Sequence, residues 1–259
     1  MRIVFIRHGD PDYTNDTLTE KGRKEAALLA ENIGYLELED AEFYVSPLGR
    51  ARDTAGYVLD KLGKSAVTMD WLQEFPAQVD VNGNPEFLKI YPDTGKQGDK
   101  YSSHIAWDMV PAYWTEQEDL GDLKDWKNAE VVKHSDIQEV YERVTKAFDE
   151  LLAEYGYVRE GRHYRVERES EATIVCVCHL GITCALLSHL WSISPFILWH
   201  SLFLAPTSVS EVVTEERQQG VAYFRAARLG DISHLRIGGE EPSFMARFCE
   251  VYSNQEQRH

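Results

Sequence analysis

Residues 1–9 read MRIVFIRHG, and the fold turns on how this stretch is taken. Ile3-Val4-Phe5-Ile6 is an unbroken apolar run of β-forming residues, which suits a central parallel strand covered on both faces. Arg7-His8-Gly9 then stands where that strand ends. Thr19 to Ile33 carries a helical pattern, with Ala26, Leu29, Ala30 and Ile33 on one face. Phe43-Tyr44-Val45 reads as a second strand stopped by Ser46-Pro47, and Pro47 suits the first turn of a helix running to about Leu62. Val67 to Leu72 is a third expected strand. This alternation of strand and helix is the pattern of a parallel α/β sheet.

Regularity breaks from about Pro76 to His134, where Trp, Tyr, Gly, Pro and acidic residues crowd together with weak periodicity. A structureless loop of that length is uncommon in a compact domain, so residues 76–134 read as an inserted cap with short helices of its own. Asp136 to Tyr155 is a strongly amphipathic helix, with Ile137, Val140, Val144, Phe148 and Leu151 on one stripe. Tyr164-Arg165-Val166 begins a β-segment, Ala172 to Cys178 is a buried strand, and Gly181 to Leu190 returns to helix. Val209 to Val213 and Val221 to Leu229 read as two late strands, and the tail after Pro242 reads as peripheral. The expectation is one domain over residues 1–259: a three-layer α/β/α fold around a mostly parallel sheet, with the cap inserted in it.

The chain has 259 residues, 43% of them hydrophobic, enough to bury a full core without disulfides. Its net charge of −16, from 43 acidic against 27 basic side chains, repels nucleic acid and anionic membrane, so neither is expected as a partner. A small anionic substrate stays open, because a few arginines in a cleft reverse the local potential. Cys176, Cys178, Cys184 and Cys249 are too few and too clustered for a disulfide framework, and no second Cys/His pair stands at zinc-ligand spacing. Free buried thiols are expected, with no metal and no cofactor. The N-terminus lacks the marks of a signal peptide and no run reaches the length of a membrane span, so a cytoplasmic protein is expected. Oligomeric state is open, a homodimer included.

In an open α/β sheet, ligands bind just beyond the carboxyl ends of the strands. His8 and His179 follow two such ends, and Arg50 lies in the first turn of the helix leaving the second strand, where free amides favour an anion. Arg7, His8, Arg50 and His179 thus make a plausible phosphate pocket. Guanidinium forks bind tetrahedral oxyanions and stay charged, while a neutral imidazole held in one tautomer can attack phosphorus. Each residue alone has a bland explanation. Four arriving at one sheet edge do not.

At this point the sequence resembles the histidine phosphatase superfamily, also called phosphoglycerate mutase-like. RHGDPDYTNDTLTEKGRKEA is similar to the family's opening RHG and its Leu-Thr-x-x-Gly-x-x-x-Ala helix start, here Leu18, Thr19, Gly22 and Ala26. SPLGRARDTA, from Ser46 to Ala55, is similar to the block that carries the family's second arginine, at Arg50. CVCHLGITCALL supplies the second histidine at His179, and PTSVSEV and ARLGDISHL resemble the final strands. The resemblance implies that His8 becomes phosphohistidine and that Arg7, Arg50 and His179 bind the phosphoryl group. It points to Glu74 as the proton donor, with Asp10 and Asp12 as competitors, and to Asn15 as the nearest match to a phosphate-contacting asparagine. It also implies a reaction without metal. The chain departs from many relatives in reading His179-Leu180-Gly181 and in its shorter opening loop. His104, Trp107 and Trp114 in the cap are candidates for lining a substrate site, with packing of the insert's own core as the plainer account.

The reading expected from these residues is a metal-independent histidine acid phosphatase-like enzyme acting on a small phosphorylated metabolite. The alternatives are a phosphoglycerate mutase-type transfer, against which the chain lacks a Gly-Trp-x-Asp stretch after RHG, and a non-catalytic phospho-ligand-binding module.

Overall fold

The computed structural model describes residues 1–82, 84–91, 94–247 and 250–254. Its main sheet is built from β1 (Arg2–Arg7), β2 (Glu42–Val45), β3 (Ala66–Thr68), β4 (Tyr157–Glu160), β5 (His163–Val166), β6 (Thr173–Cys178), β7 (Val209–Gln218) and β8 (Val221–Asp231). The spatial order is β4-β5-β8-β7-β1-β6-β2-β3. β1, β6, β2 and β3 are mutually parallel, whereas β7, β8, β5 and β4 continue the sheet antiparallel from the other side of β1. The main helices are α1 (Glu20–Asn32), α2 (Gly49–Leu62), α3 (Ile137–Glu154), α4 (Leu180–Trp191), α5 (Pro195–Ser201) and α6 (Ser233–Ile237).

The unbroken apolar run of β1 follows from burial on both faces. Ile3 and Phe5 join one core with Phe148 of α3 and Leu186 of α4. Val4 and Ile6 point the other way, into a second core with Leu29 of α1 and Ala55 and Val58 of α2. Because successive strand residues alternate faces, a strand with helices above and below has no side that can be polar. Cys176 and Cys178 share the first face and are free thiols, as is Cys184; Cys249 lies outside the described residues.

Three expectations need correction. The third strand ends at Thr68, and a 3-10 turn over Asp70–Leu72 follows it. As the edge strand, β3 leaves Val67 exposed, and the chain turns to bury Leu72 instead. A strand absent from the sequence reading, β4, pairs with β5 as a hairpin. The tail after Pro242 is not peripheral, since Ser243 is buried and its amide donates to Glu25 at 3.0 Å.

Residues 76–134 hold short helices, among them Phe87–Ile90, Pro111–Trp114 and Glu130–Lys133, and a two-stranded pairing of Gln78–Val79 with His104–Ile105. Their buried residues Val79, Phe87, Tyr91 and Trp126 belong to the same core as Phe5 and Phe148. Among the described residues, no helix is long and apolar enough to cross a membrane.

Candidate active site

The register of the parallel strands sets the site. Arg7 pairs with Cys178 across β1 and β6, and Val177 pairs with Val45 across β6 and β2. Three strands therefore finish within one residue of each other, delivering His8, His179 and Ser46 to one edge of the sheet. The His8 amide donates to Cys178 O at 3.0 Å, and its carbonyl accepts from Thr207 N at 3.1 Å. The nucleophile candidate is thus clamped by backbone on both sides.

A carbonyl partner fixes the tautomer of His8, and a hydroxyl partner stands at His179. His8 Nδ1 lies 2.7 Å from Gly9 O. A carbonyl only accepts, so Nδ1 carries the proton and Nε2 keeps its lone pair. Burial first, then Arg7, holds the His8 pKa well below its ordinary value, so the ring is neutral. His179 Nε2 lies 2.7 Å from Ser46 Oγ, which also accepts from Leu48 N at 3.3 Å. The Ser46 hydroxyl can donate to Nε2, which places the His179 proton on Nδ1. His179 Nδ1 is buried and has no partner among the described residues. Burial, then His8 and the two arginines, lowers the His179 pKa well below the usual range as well. The ring centroids stand 4.9 Å apart: one histidine offers a lone pair, the other an N–H.

Each arginine is held by one arm. Arg7 Nη1 donates to Leu204 O at 2.5 Å and to Met245 O at 3.2 Å. Arg50 Nη1 donates to Asp16 Oδ1 at 2.6 Å. The Nε atoms of both are buried without a partner among the described residues. Arg7 Nε, Arg50 Nε and His179 Nδ1, each buried without a partner among the described residues, lie near a neutral His8, an arrangement that suits an anion. Donors so buried cost about 1–3 kcal/mol each when unmet, a cost that an oxyanion between them would offset.

Glu74 follows the 3-10 turn over Asp70–Leu72 and its side chain meets the first turn of α4. Its Oε1 accepts from Phe75 N at 2.8 Å and Ile182 N at 3.0 Å, leaving Oε2 as the oxygen that can carry a proton. Burial raises its pKa, and the amides of Phe75 and Ile182 and the Arg7 charge offset that rise only in part. Trp107 packs over the same turn: a Cβ on Gly181 would stand 2.4 Å from Trp107 Cη2 and 2.9 Å from Glu74 Oε1. Glycine is therefore required there by close approach.

The structure thus brings Arg7, His8, Arg50, His179, Glu74 and Trp107 together. It does not bring Asn15 to the pocket; that side chain is exposed and spends its amide on Asp12 Oδ2 at 2.7 Å. The adjacent Asp16 takes the place at Arg50 and also accepts from Gly49 N at 2.6 Å, at the N-terminus of α2. Asp12 is committed to the same turn, and Asp10 accepts from Thr19 Oγ1 at 2.7 Å. His104 stacks on Tyr91 at 4.7 Å, and Trp114 stacks on His200 at 5.0 Å. Both rings are taken up in these packing contacts. Sequence reasoning missed Ser46, Asp16, Tyr13 and Glu25. Tyr13 lies under Arg50, its ring centroid 5.2 Å from the guanidinium carbon. Ser46 had a signal in its place beside Pro47, at a strand end.

Residues 3–100 match the model of the histidine phosphatase superfamily (branch 1). A 2,3-bisphosphoglycerate-dependent phosphoglycerate mutase of Thermoplasma acidophilum is 35% identical over 75 residues, which make up 25% of this chain and cover 36% of that protein. The phosphoserine phosphatase of Entamoeba histolytica, solved with 3-phosphoglyceric acid, superposes with a TM-score of 0.54 at 16% identity, over 90% of this chain and 98% of that one. Native mycobacterial glucosyl-3-phosphoglycerate phosphatase superposes with a TM-score of 0.53 at 20% identity, over 88% of this chain and 98% of that one. At such identities the shared property is the fold. The chain therefore matches the histidine phosphatase superfamily model over residues 3–100 and shares the fold of these phosphatases over most of its length.

Proposed function

We propose that the protein is a phosphomonoester hydrolase working through a phosphohistidine on His8. The observation that carries this reading is the set of three buried, unpartnered donors around the bare Nε2 of a neutral His8. In this reading Arg7 Nε, Arg50 Nε and His179 Nδ1 hold the phosphoryl oxygens. His8 Nε2 attacks phosphorus in line while Glu74 Oε2 protonates the leaving oxygen. Water then attacks the phosphohistidine, Glu74 takes its proton, and phosphate departs. Residues 76–134 act as a cap over the leaving group, a role supported by Trp107 against Gly181 and Glu74. The chemistry needs no metal, and the substrate is a small phosphate ester.

The test is release of phosphate from an aryl phosphate and a panel of alkyl phosphates with a chelator present. Wild type turns over and His8→Ala does not; an inert wild type sinks the proposal. The mutase reading has one observation in its favour, the match to a phosphoglycerate mutase over 75 residues. Isomerisation of phosphoglycerate in the same panel would promote it.

A further inference from the structure

Glu25 is a carboxylate where α1 faces the interior. It is fully buried, and the same face carries Gly22, Ala26, Leu29 and Ala30. A buried carboxylate is costly unless its oxygens are met by donors. Here each oxygen has one. Oε2 accepts from Asp10 N at 3.0 Å, and Oε1 accepts from Ser243 N at 3.0 Å. The first of these bonds reaches the nucleophile. Asp10 N–H and Gly9 C=O belong to one peptide unit, and Gly9 O is the acceptor of His8 Nδ1–H. A continuous chain therefore runs from the Glu25 carboxylate through the Gly9–Asp10 peptide to the imidazole.

We propose that Glu25 is a positioning residue for the nucleophile, acting through that peptide unit. The inference rests on the phosphohistidine reading. Hydrogen bonds in series polarise one another, so a carboxylate on the N–H makes the carbonyl at the other end a stronger acceptor. When His8 Nε2 bonds to phosphorus and the phosphorus–oxygen bond of the ester breaks, the ring gains positive character at Nδ1–H. The leaving oxygen takes its proton from Glu74; the Nδ1 proton stays on His8, held by Gly9 O and balanced by Glu25. This is the part played by an orienting carboxylate behind a catalytic histidine, with a peptide unit interposed. The second Glu25 oxygen ties the C-terminal segment to the same assembly. Two residues beyond Ser243, Met245 O accepts from Arg7 Nη1 at 3.2 Å, so one carboxylate organises both the nucleophile's peptide and the support of a phosphate-binding arginine.

Burial pushes the Glu25 carboxyl up to about 7, against the Asp10 and Ser243 amides that favour its ionised form. Asp10 and Lys21 also act on it, and it in turn acts on Arg7. Ionised Glu25 can meet both amides and balance the ring, whereas the neutral acid cannot. Phosphorylation of His8 should accordingly weaken as pH falls through about 7.

The test compares wild type, Glu25→Gln and Glu25→Ala by single-turnover reaction with an aryl phosphate across pH, with vanadate affinity and the His8 Nδ1–H proton resonance measured alongside. Glutamine keeps the size and one accepting oxygen but not the charge. The expected result is vanadate affinity within about threefold of wild type for Glu25→Gln and phosphorylation slowed about 10- to 100-fold. Its ascending pH limb near 7 is lost, and the Nδ1–H resonance moves upfield. A limb and resonance unchanged in both variants would overturn the role, as would an affinity loss equal to the rate loss with the limb retained, the mark of a merely structural residue. If wild type forms no phosphohistidine, the hydrolase reading fails, and the resonance, measured without substrate, still decides whether Glu25 acts on His8.

Discussion

In the proposed reaction Ser46 acts on His179 through one proton. With Ser46 Oγ accepting from Leu48 N, its hydroxyl donates to His179 Nε2 and the Nδ1–H is presented inward. Ser46→Ala frees the ring to take the other tautomer, which turns a lone pair toward an anion. Vanadate affinity should fall about tenfold, measured by titration, with the fold intact by circular dichroism; unchanged affinity would refute the tautomer assignment. Glu74 acts at the same scale. Its raised pKa favours the protonated carboxyl, and activity on alkyl phosphates should decline as pH rises past the folded value. Glu74→Gln should remove that descending limb. It should also cost alkyl phosphates about 100-fold or more in kcat, and aryl phosphates, whose leaving groups need little protonation, much less.

The elements place these residues by register, and their contacts show what the sequence could convey. Gly181 opens α4 under the edge of Trp107, so Gly181→Ala must displace that indole, Glu74, or both. A misplaced acid of that kind should lower kcat about 10- to 100-fold with vanadate binding kept, read from steady-state kinetics beside a titration. Arg7, His8, Arg50 and His179 are legible because each lies at a fixed offset from a strand end or helix start, whereas Glu74 is reached only through the family resemblance. Parallel register then carries them to one edge. Asn15 was misjudged because the tight turn around Asp12 takes its amide, and the turn delivers Asp16 to Arg50 instead. Among the aromatics of residues 76–134, composition could not separate Trp107, which packs against Gly181 as Glu74 does, from His104 and Trp114, which stack on Tyr91 and His200. The irregular segments that orient them carry no periodicity to read. Glu25 left a trace, a charge on the apolar face of α1, but its partner Ser243 is 218 residues away in sequence.

Across the whole molecule the buried titratable groups set how stability responds to acid. His8, His179, His200 and His234 all have pKa values lowered chiefly by burial, to about 4 for His200 and His234. A histidine with a lowered folded pKa contributes stability that is present above 6.5 and is lost as pH falls toward the folded value. Glu25 and Glu74, with raised pKa values, work in the opposite sense, but they are two against four. The urea midpoint should therefore drop between about pH 7 and about pH 4.5. His200→Gln should remove up to about 3 kcal/mol of that slope, from a shift of 6.5 to about 4 at about 1.36 kcal/mol per unit. A midpoint that rises on acidification would contradict this balance. The most direct test of the central claim is also read on the intact chain: mass spectrometry after rapid quench into base during turnover of an aryl phosphate. The account predicts one added phosphoryl group, stable to alkali and lost in acid, mapped to His8 and absent from His8→Ala. A protein that releases phosphate while no quench time shows phosphate on His8 would contradict it.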